Sequence, residues 1–229
     1  MKEMISNSVF FGVAVSIIGY EIGMLLKKKL KTPLMNPLLI AVVFVIGVLL
    51  MLQIEYEDYY EGARYLSYFL TPATVSLAIP LYRQIELLKK NKKAILGGIL
   101  SGVLASLCSV LVLCRLFSFT HEQYVTLLPK SITTAIGMDV ADKLGGIVTI
   151  AVISIIITGI LGNIIAEIVF RVFRIEEPVA RGLALGTSAH AIGTAKAMEI
   201  GEVEGAMSSL SIVIAGLMTV VGASVFARF

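Results

Sequence analysis

Four polar residues stand out in a chain that has few to spare: Lys130, Asp139, Asp142 and His190. Lys130 follows Pro129 and precedes Ser131, Thr133 and Thr134. A lone ammonium among hydroxyls, at a break where Pro129 and Ser131 can start a half-helix, is an anion-binding set. A small carboxylate fits it, because a helix N-terminus adds positive potential. The same chemistry is offered by Thr71, Pro72 and Thr74, where Thr71-Pro72 has the form of an N-cap and first-turn pair. A third set, Thr187, Ser188, His190 and Thr194, holds one of only two histidines. On a helix Thr187, His190 and Thr194 would share a face at i, i+3 and i+7. An imidazole, with an ordinary pKa of about 6.5, can carry a coupling proton, or it can be a hydrogen-bonded packing group. Asp139 and Asp142 can hold a coupling cation, or Asp139 can pair with Lys143 at i, i+4 and form a solvated helix end. Lys130 itself has a plainer alternative at the outer surface.

The elements that must position these groups follow from composition. Of 229 residues, 57% are hydrophobic and 15% charged, with a net charge of +3. Such a chain cannot cover itself with water-compatible side chains. That excludes a soluble enzyme, a disordered segment and a nucleic-acid binder with a basic face, and leaves an integral membrane protein in contact with a lipid bilayer. Cys108 and Cys114 fit neither a disulfide framework nor a metal site. No catalytic, nucleotide-binding or metal-ligand motif is present, so no enzyme activity, cofactor or metal is expected.

Windows free of charge define the spans, since a bilayer core needs about 20 mainly apolar residues per helix. Pro37–Ile54, Ala94–Cys114, Leu144–Ala166 and Ala206–Ala227 qualify, with Ile5–Leu26 as a retained first helix rather than a signal peptide. Tyr65–Tyr82 and Gly182–Ala195 read as interrupted helices, and His121–Leu144 is too polar for an ordinary lipid-facing span. Basic loops at Lys27, Lys28, Lys29, Lys31 and at Arg83, Lys89, Lys90, Lys92, Lys93 are placed in the cytoplasm, which puts the acidic stretch from Glu55 to Glu61 and the N-terminus outside. Arg171, Arg174 and Arg181 return to the cytoplasmic side if His121–Leu144 enters and leaves from outside. The expected fold is therefore all-α, with about seven transmembrane helices and one re-entrant segment, or else eight spans, in one polytopic domain over residues 1–229. Tyr56, Tyr59, Tyr60, Tyr65 and Tyr68 suit an interfacial helix.

The interrupted segments echo one another. Leu70–Pro80 aligns with Leu127–Gly137 at an offset of 57, and Ala135-Ile136-Gly137 with Ala191-Ile192-Gly193 at an offset of 56, giving weak repeats around 65–88, 122–145 and 179–201. Interrupted helices in weakly repeated segments are how secondary transporters build substrate sites at the bilayer midplane. Gly98 and Gly102 form a GxxxG packing motif, and Gly182, Gly186, Ala189 and Gly193 allow close helix contact.

The chain resembles the LrgB/CidB family of bacterial membrane proteins. The resemblance rests on Asn36-Pro37-Leu38-Leu39, Leu70-Thr71-Pro72-Ala73-Thr74 with Ala78-Ile79-Pro80-Leu81-Tyr82, Leu128-Pro129-Lys130-Ser131 with Thr133-Thr134, and Gly186 through Ala195. It implies a multi-pass protein of the bacterial cytoplasmic (inner) membrane, paired with a small LrgA/CidA holin-like partner; the GxxxG motif separately allows helix contact within the chain or between chains of a homo-oligomer. The family is described as antiholin-like and as modulating murein hydrolase activity and autolysis. A related plastid glycolate/glycerate translocator implies instead the transport of small monocarboxylates such as pyruvate, glycolate or glycerate.

Overall fold

Each charge-free window is helical in the computed structural model, as expected where backbone groups must bond within the segment. The structure describes residues 9–30, 32, 35–76 and 78–229. The start of the first predicted span, the side on which the N-terminus lies, Lys31 of the first basic loop and Leu77 of the first echo fall outside those residues. The chain packs as two units, Met1–Ser76 and Leu77–Phe229.

The first unit holds α1 (Val9–Leu30), α2 (Pro37–Leu52), α3 (Tyr56–Ala63), a 3-10 turn (Arg64–Phe69) and α4 (Leu70–Ser76). Asn36 starts α2: its side-chain oxygen accepts from the backbone N–H of Leu38 at 2.9 Å and of Leu39 at 3.2 Å, with Pro37 in the first turn, where a missing N–H costs nothing. Gly19 and Gly23 of α1 lie against Ala41 and Pro37 of α2. On α3, Tyr59 bonds Ser16 of α1 at 2.8 Å, while Tyr56 and Tyr60 stack and stay exposed. Because α4 begins at Leu70, Thr71 lies inside the helix and not at its N-cap, which corrects the expected cap pair.

The second unit holds α5 (Ala78–Arg83), α6 (Ile85–Leu116), α7 (His121–Leu127), α8 (Thr134–Lys143), α9 (Val148–Val172), α10 (Pro178–Ile200) and α11 (Glu202–Phe226). Among the described residues α1, α6, α9 and α11 are long and apolar enough to cross a membrane, and α2 is apolar but has 16 residues. In the second unit α6 and α11 run parallel. Arg83 pairs with Glu202 at one end (3.7 Å), and at the other Arg115 donates to the Phe229 carbonyl (2.7 Å).

Two helical hairpins pack among these long helices. In the first, α7 opens on a capping box between Thr120 and Gln123, stops at Leu127, and the chain turns through residues 128–133 into α8. The arms are antiparallel: the first leads inward from the end of α6 to Ser131 beside Ser106, and the second leads back outward from Gly137 beside Ile155 to the start of α9. A Cβ placed on Gly137 would lie 3.5 Å from the Pro129 carbonyl oxygen. The second half-helix therefore starts after Thr133, not at Pro129 or Ser131.

The second hairpin is hidden inside α10. Its 23 residues would span about 34 Å if straight, with Arg181 and Glu199 roughly 27 Å apart. Instead these two side chains border the same recess. The reversal occurs at His190, whose φ of 43° and ψ of −132° match the first central residue of a type II′ turn, a position that normally takes glycine. Residues 178–189 run parallel to α11, with Gly182 against Glu204 and Gly186 against Ser208. Residues 191–200 run antiparallel to it, with Met198 against Gly205. A Cβ on Gly193 would come within 2.5 Å of the Leu185 carbonyl oxygen, so glycine is what lets the arms close. Hence Thr187 and Thr194 stand on opposite arms, and the shared face expected for Thr187, His190 and Thr194 does not exist.

The hairpins enter from opposite ends. The base of the first lies beside the far end of α11, where the Tyr124 hydroxyl donates to Phe226 at 2.9 Å. The base of the second lies where α11 begins, after the single residue Gly201. Arg171, Arg174 and Arg181 share that end with the basic N-terminal part of α6.

Candidate functional site

Both hairpin tips reach the middle of the long helices. Ser131 bonds Ser106 at 3.0 Å, and Ser106 lies well inside the charge-free stretch of α6. Thr187 fits over Gly102, where a Cβ would sit 2.8 Å from its hydroxyl oxygen, and Leu183 fits over Gly98. The GxxxG motif thus receives the first arm of α10. On the other side, Gly159 and Gly162 of α9 make room for the imidazole of His190 and for Ala189.

Between α6, α9 and the first arm of α10 lies a cleft of about 1030 Å³. Asn91, Phe170 and Glu177 stand at its mouth, and Lys130 and Ser131 lie at its deep end. Most of its lining is apolar, and seven of its ten polar residues carry hydroxyls. Ser101, Ser109, Thr187 and Ser188 each turn their one proton back to a carbonyl of their own helix, at 2.6–2.8 Å, which leaves oxygen lone pairs for a ligand. Lys130 is the cleft's one cationic donor. Its ammonium donates to the Ser131 hydroxyl at 3.1 Å, and among the described residues no carboxylate lies within ion-pair distance of it. An ammonium at this depth persists where a cavity or an anion compensates it.

His190 has a different surrounding. It is buried and does not line the cleft; its Nε2 lies 3.0 Å from the Ile155 carbonyl oxygen. Because a carbonyl only accepts, Nε2 carries the proton in this bond. The contact ties the strained tip to α9, and Asn163 adds a second tie by donating to the Ile192 carbonyl at 3.1 Å. A non-glycine residue in this conformation costs about 1–3 kcal/mol, so the surroundings must hold it there. Thr194 is buried behind the tip, bonded to Ser208 at 2.7 Å.

The structure thus brings Lys130, Ser131, Thr187 and Ser188 to one cleft, with Pro129, His190 and Thr194 packed behind it. Thr133 and Thr134 sit half-buried at the start of α8, and Asp139 and Asp142 are exposed on that helix, away from the cleft. Thr71 and Pro72 are exposed on α4 in the first unit, and the Thr74 side chain lies outside the described residues. Sequence reasoning missed Ser101, Ser106, Ser109 and Thr158. For the three serines the signal was a run of small and hydroxyl residues at helical spacing along α6, from Gly98 through Ser101, Gly102 and Ala105 to Ser109, read only as a packing motif; Thr158 on α9 gave none.

Residues 16–229 match the model of the LrgB-like family. The chain belongs to the LrgB-like family. Similar relatives include the antiholin-like protein LrgB of Bacillus cereus (strain B4264) and that of Bacillus anthracis (strain A0248). Each is 37% identical over 221 residues, 96% of this chain and 96% of the relative. No solved structure matches. Family membership and the long apolar helices together make this LrgB-like chain a multi-pass membrane protein. The family match spans both hairpins and the cleft between them.

Proposed function

We propose that this LrgB-like protein is a transporter of small monocarboxylates of the pyruvate, glycolate and glycerate type, acting with an LrgA-like membrane partner. The observation that carries this reading is Lys130: an ammonium at the tip of a helical hairpin, in a largely apolar cleft whose polar groups are chiefly hydroxyls, with no carboxylate within ion-pair distance among the described residues. An ammonium pairs with the carboxylate, and the free hydroxyl lone pairs suit a ligand's own hydroxyl groups. In this reading both hairpins are re-entrant, entering from opposite faces and meeting near the midplane, an arrangement favoured for substrate sites in transporters. The reading is supported by Arg171, Arg174 and Arg181 lying at the same end as Lys89–Lys93, because positive residues gather on the cytoplasmic side of a bacterial inner membrane. The cleft then faces the cytoplasm, and the buried His190 is the group through which proton coupling would act. Asp139 and Asp142, outside the cleft, take no part in holding the substrate.

The test is uptake of labelled pyruvate, glycolate and glycerate into proteoliposomes, with and without the partner and a pH gradient. Saturable uptake is expected. No uptake under any condition, with dye leakage that grows with protein density, would replace this reading by a second one. That second reading, a holin- or antiholin-like pore or regulator acting on murein hydrolases and autolysis, is favoured by the name the relatives carry.

A further inference from the structure

A second polar site lies at the base of the α10 hairpin, adjoining the mouth of the cleft at Phe170 but independent of the transport reading. A recess of about 540 Å³ is bordered by the end of α9 and by both ends of α10. Its charges sort unevenly. Glu167 and Glu199 share the one ammonium of Lys196, the latter at 3.6 Å, which leaves that trio with a single negative charge. With Arg171, Arg174, Arg181 and Glu176 added, the recess carries a net positive charge, and among the described residues none of the three arginines forms an ion pair.

Arg181 is held in place beforehand. Its Nε donates to the Ile175 carbonyl at 2.7 Å, and its guanidinium carbon stands 5.8 Å from the centre of the Phe170 ring. These two contacts fix the plane and leave the terminal nitrogens as a ready fork, the geometry that recognises phosphoryl oxygens. Arg174 has a φ of 52°, at the turn where the Ile175 N–H closes back on Phe170 at 2.8 Å. Glycine takes that position most easily, so this arginine sits there at a conformational cost. The depth is also suitable. At 25 residues α9 is about 37 Å long, more than a hydrocarbon core of roughly 30 Å, so its arginine end falls among headgroups.

We infer that this recess binds a phosphoryl oxyanion, supplied by an anionic phospholipid headgroup or by free phosphate. Bound there, the anion bridges the end of α9 to the base of the second hairpin. Basic pockets between helices on the cytoplasmic side take lipid headgroups by the same chemistry.

Native mass spectrometry of the full chain in detergent, with phosphatidylglycerol, phosphatidylcholine or inorganic phosphate, tests this. Phosphatidylglycerol is expected to bind roughly tenfold or more tightly than phosphatidylcholine, from two surface arginines and a prepared third. Combining Arg171→Gln with Arg174→Gln should erase the preference. Removing the same charge at the same end, with Lys89→Gln and Lys92→Gln, should preserve it. Saturable phosphate binding lost in the arginine variant, without preference between the lipids, supports the site and makes free phosphate its source. Equal losses in both variants would mean a diffuse surface charge and overturn the inference. So would a wild-type protein that shows neither lipid preference nor phosphate binding.

Discussion

Replacing Lys130 by methionine should weaken the ligand and strengthen the fold at once. In the cleft the ammonium has a neutral hydroxyl, Ser131, as its partner, and such a bond returns about 1 kcal/mol net. Drawing an ammonium away from bulk water costs several kcal/mol, reduced here by the open cleft. Methionine, similar in length and uncharged, should therefore gain about 1–2 kcal/mol. In a chain of 229 residues that is a rise in Tm of about 2–4 °C per kcal/mol. Binding moves the other way. A charge-assisted bond to a carboxylate is worth about 1.5–3 kcal/mol net, so removing the cation should weaken anion affinity by roughly ten- to 150-fold. Lys130→Arg, which keeps the charge, should recover part of that affinity. Melting followed by a thiol-reactive dye on the buried Cys114, in a Cys108→Ser background, reads the first effect, and concentration-dependent uptake into proteoliposomes the second. A lower Tm with unchanged uptake would show the lysine to be structural and remove the anion site.

Gly193→Ala should destabilise by about 1–3 kcal/mol, because the new methyl meets the Leu185 carbonyl, whereas Gly97→Ala, facing open space, should be neutral or stabilising in a melt. At position 190 the usual helix order should invert. His190→Gly relieves the turn while His190→Ala retains its strain, so glycine should be the more stable variant by about 1 kcal/mol or more; alanine melting higher would refute the II′ geometry. Asp139→Asn and Asp142→Asn should leave Tm and uptake close to wild type, since both side chains are exposed; a loss of uptake would return them to the site. In a background without native cysteines, Ser118→Cys and Gly145→Cys should react from one side of the membrane; labelling from opposite sides would make residues 121–143 a crossing.

What sequence could show depended on the kind of signal. Long apolar windows located α6, α9 and α11, because the cost of charge in lipid leaves few alternatives, but the charged ends of these helices, from Ile85 on α6 and to Val172 on α9, lay outside the windows. The break at Pro129 was visible because proline lacks an N–H. The reversal at His190 was not, since histidine gives no such warning and the glycines around it read equally well as a packing face. Only the approach of Gly193 to Leu185 shows that the face folds onto itself. The cleft was half legible: Lys130 was conspicuous as a charge, but serines at 101, 106 and 109 are ordinary in an apolar helix until the hairpins are placed beside them. Asp139 and Asp142 attracted attention by charge alone, and their helix turns them outward.

The arms of the two hairpins are too short to cross a bilayer, and their turns expose backbone that lipid cannot satisfy. In the re-entrant arrangement proposed above, neither can be inserted as an independent span during synthesis. The Gly182 and Gly186 face of α10 finds its seat on Glu204, Met207, Ser208 and Ser211 of α11, which emerges from the ribosome later. Assembly therefore has an order: the long helices cross first, and the hairpins wait at the membrane surface until the last of them arrives. A chain stopped before α11 would be inserted yet unfinished, a ready substrate for membrane proteases.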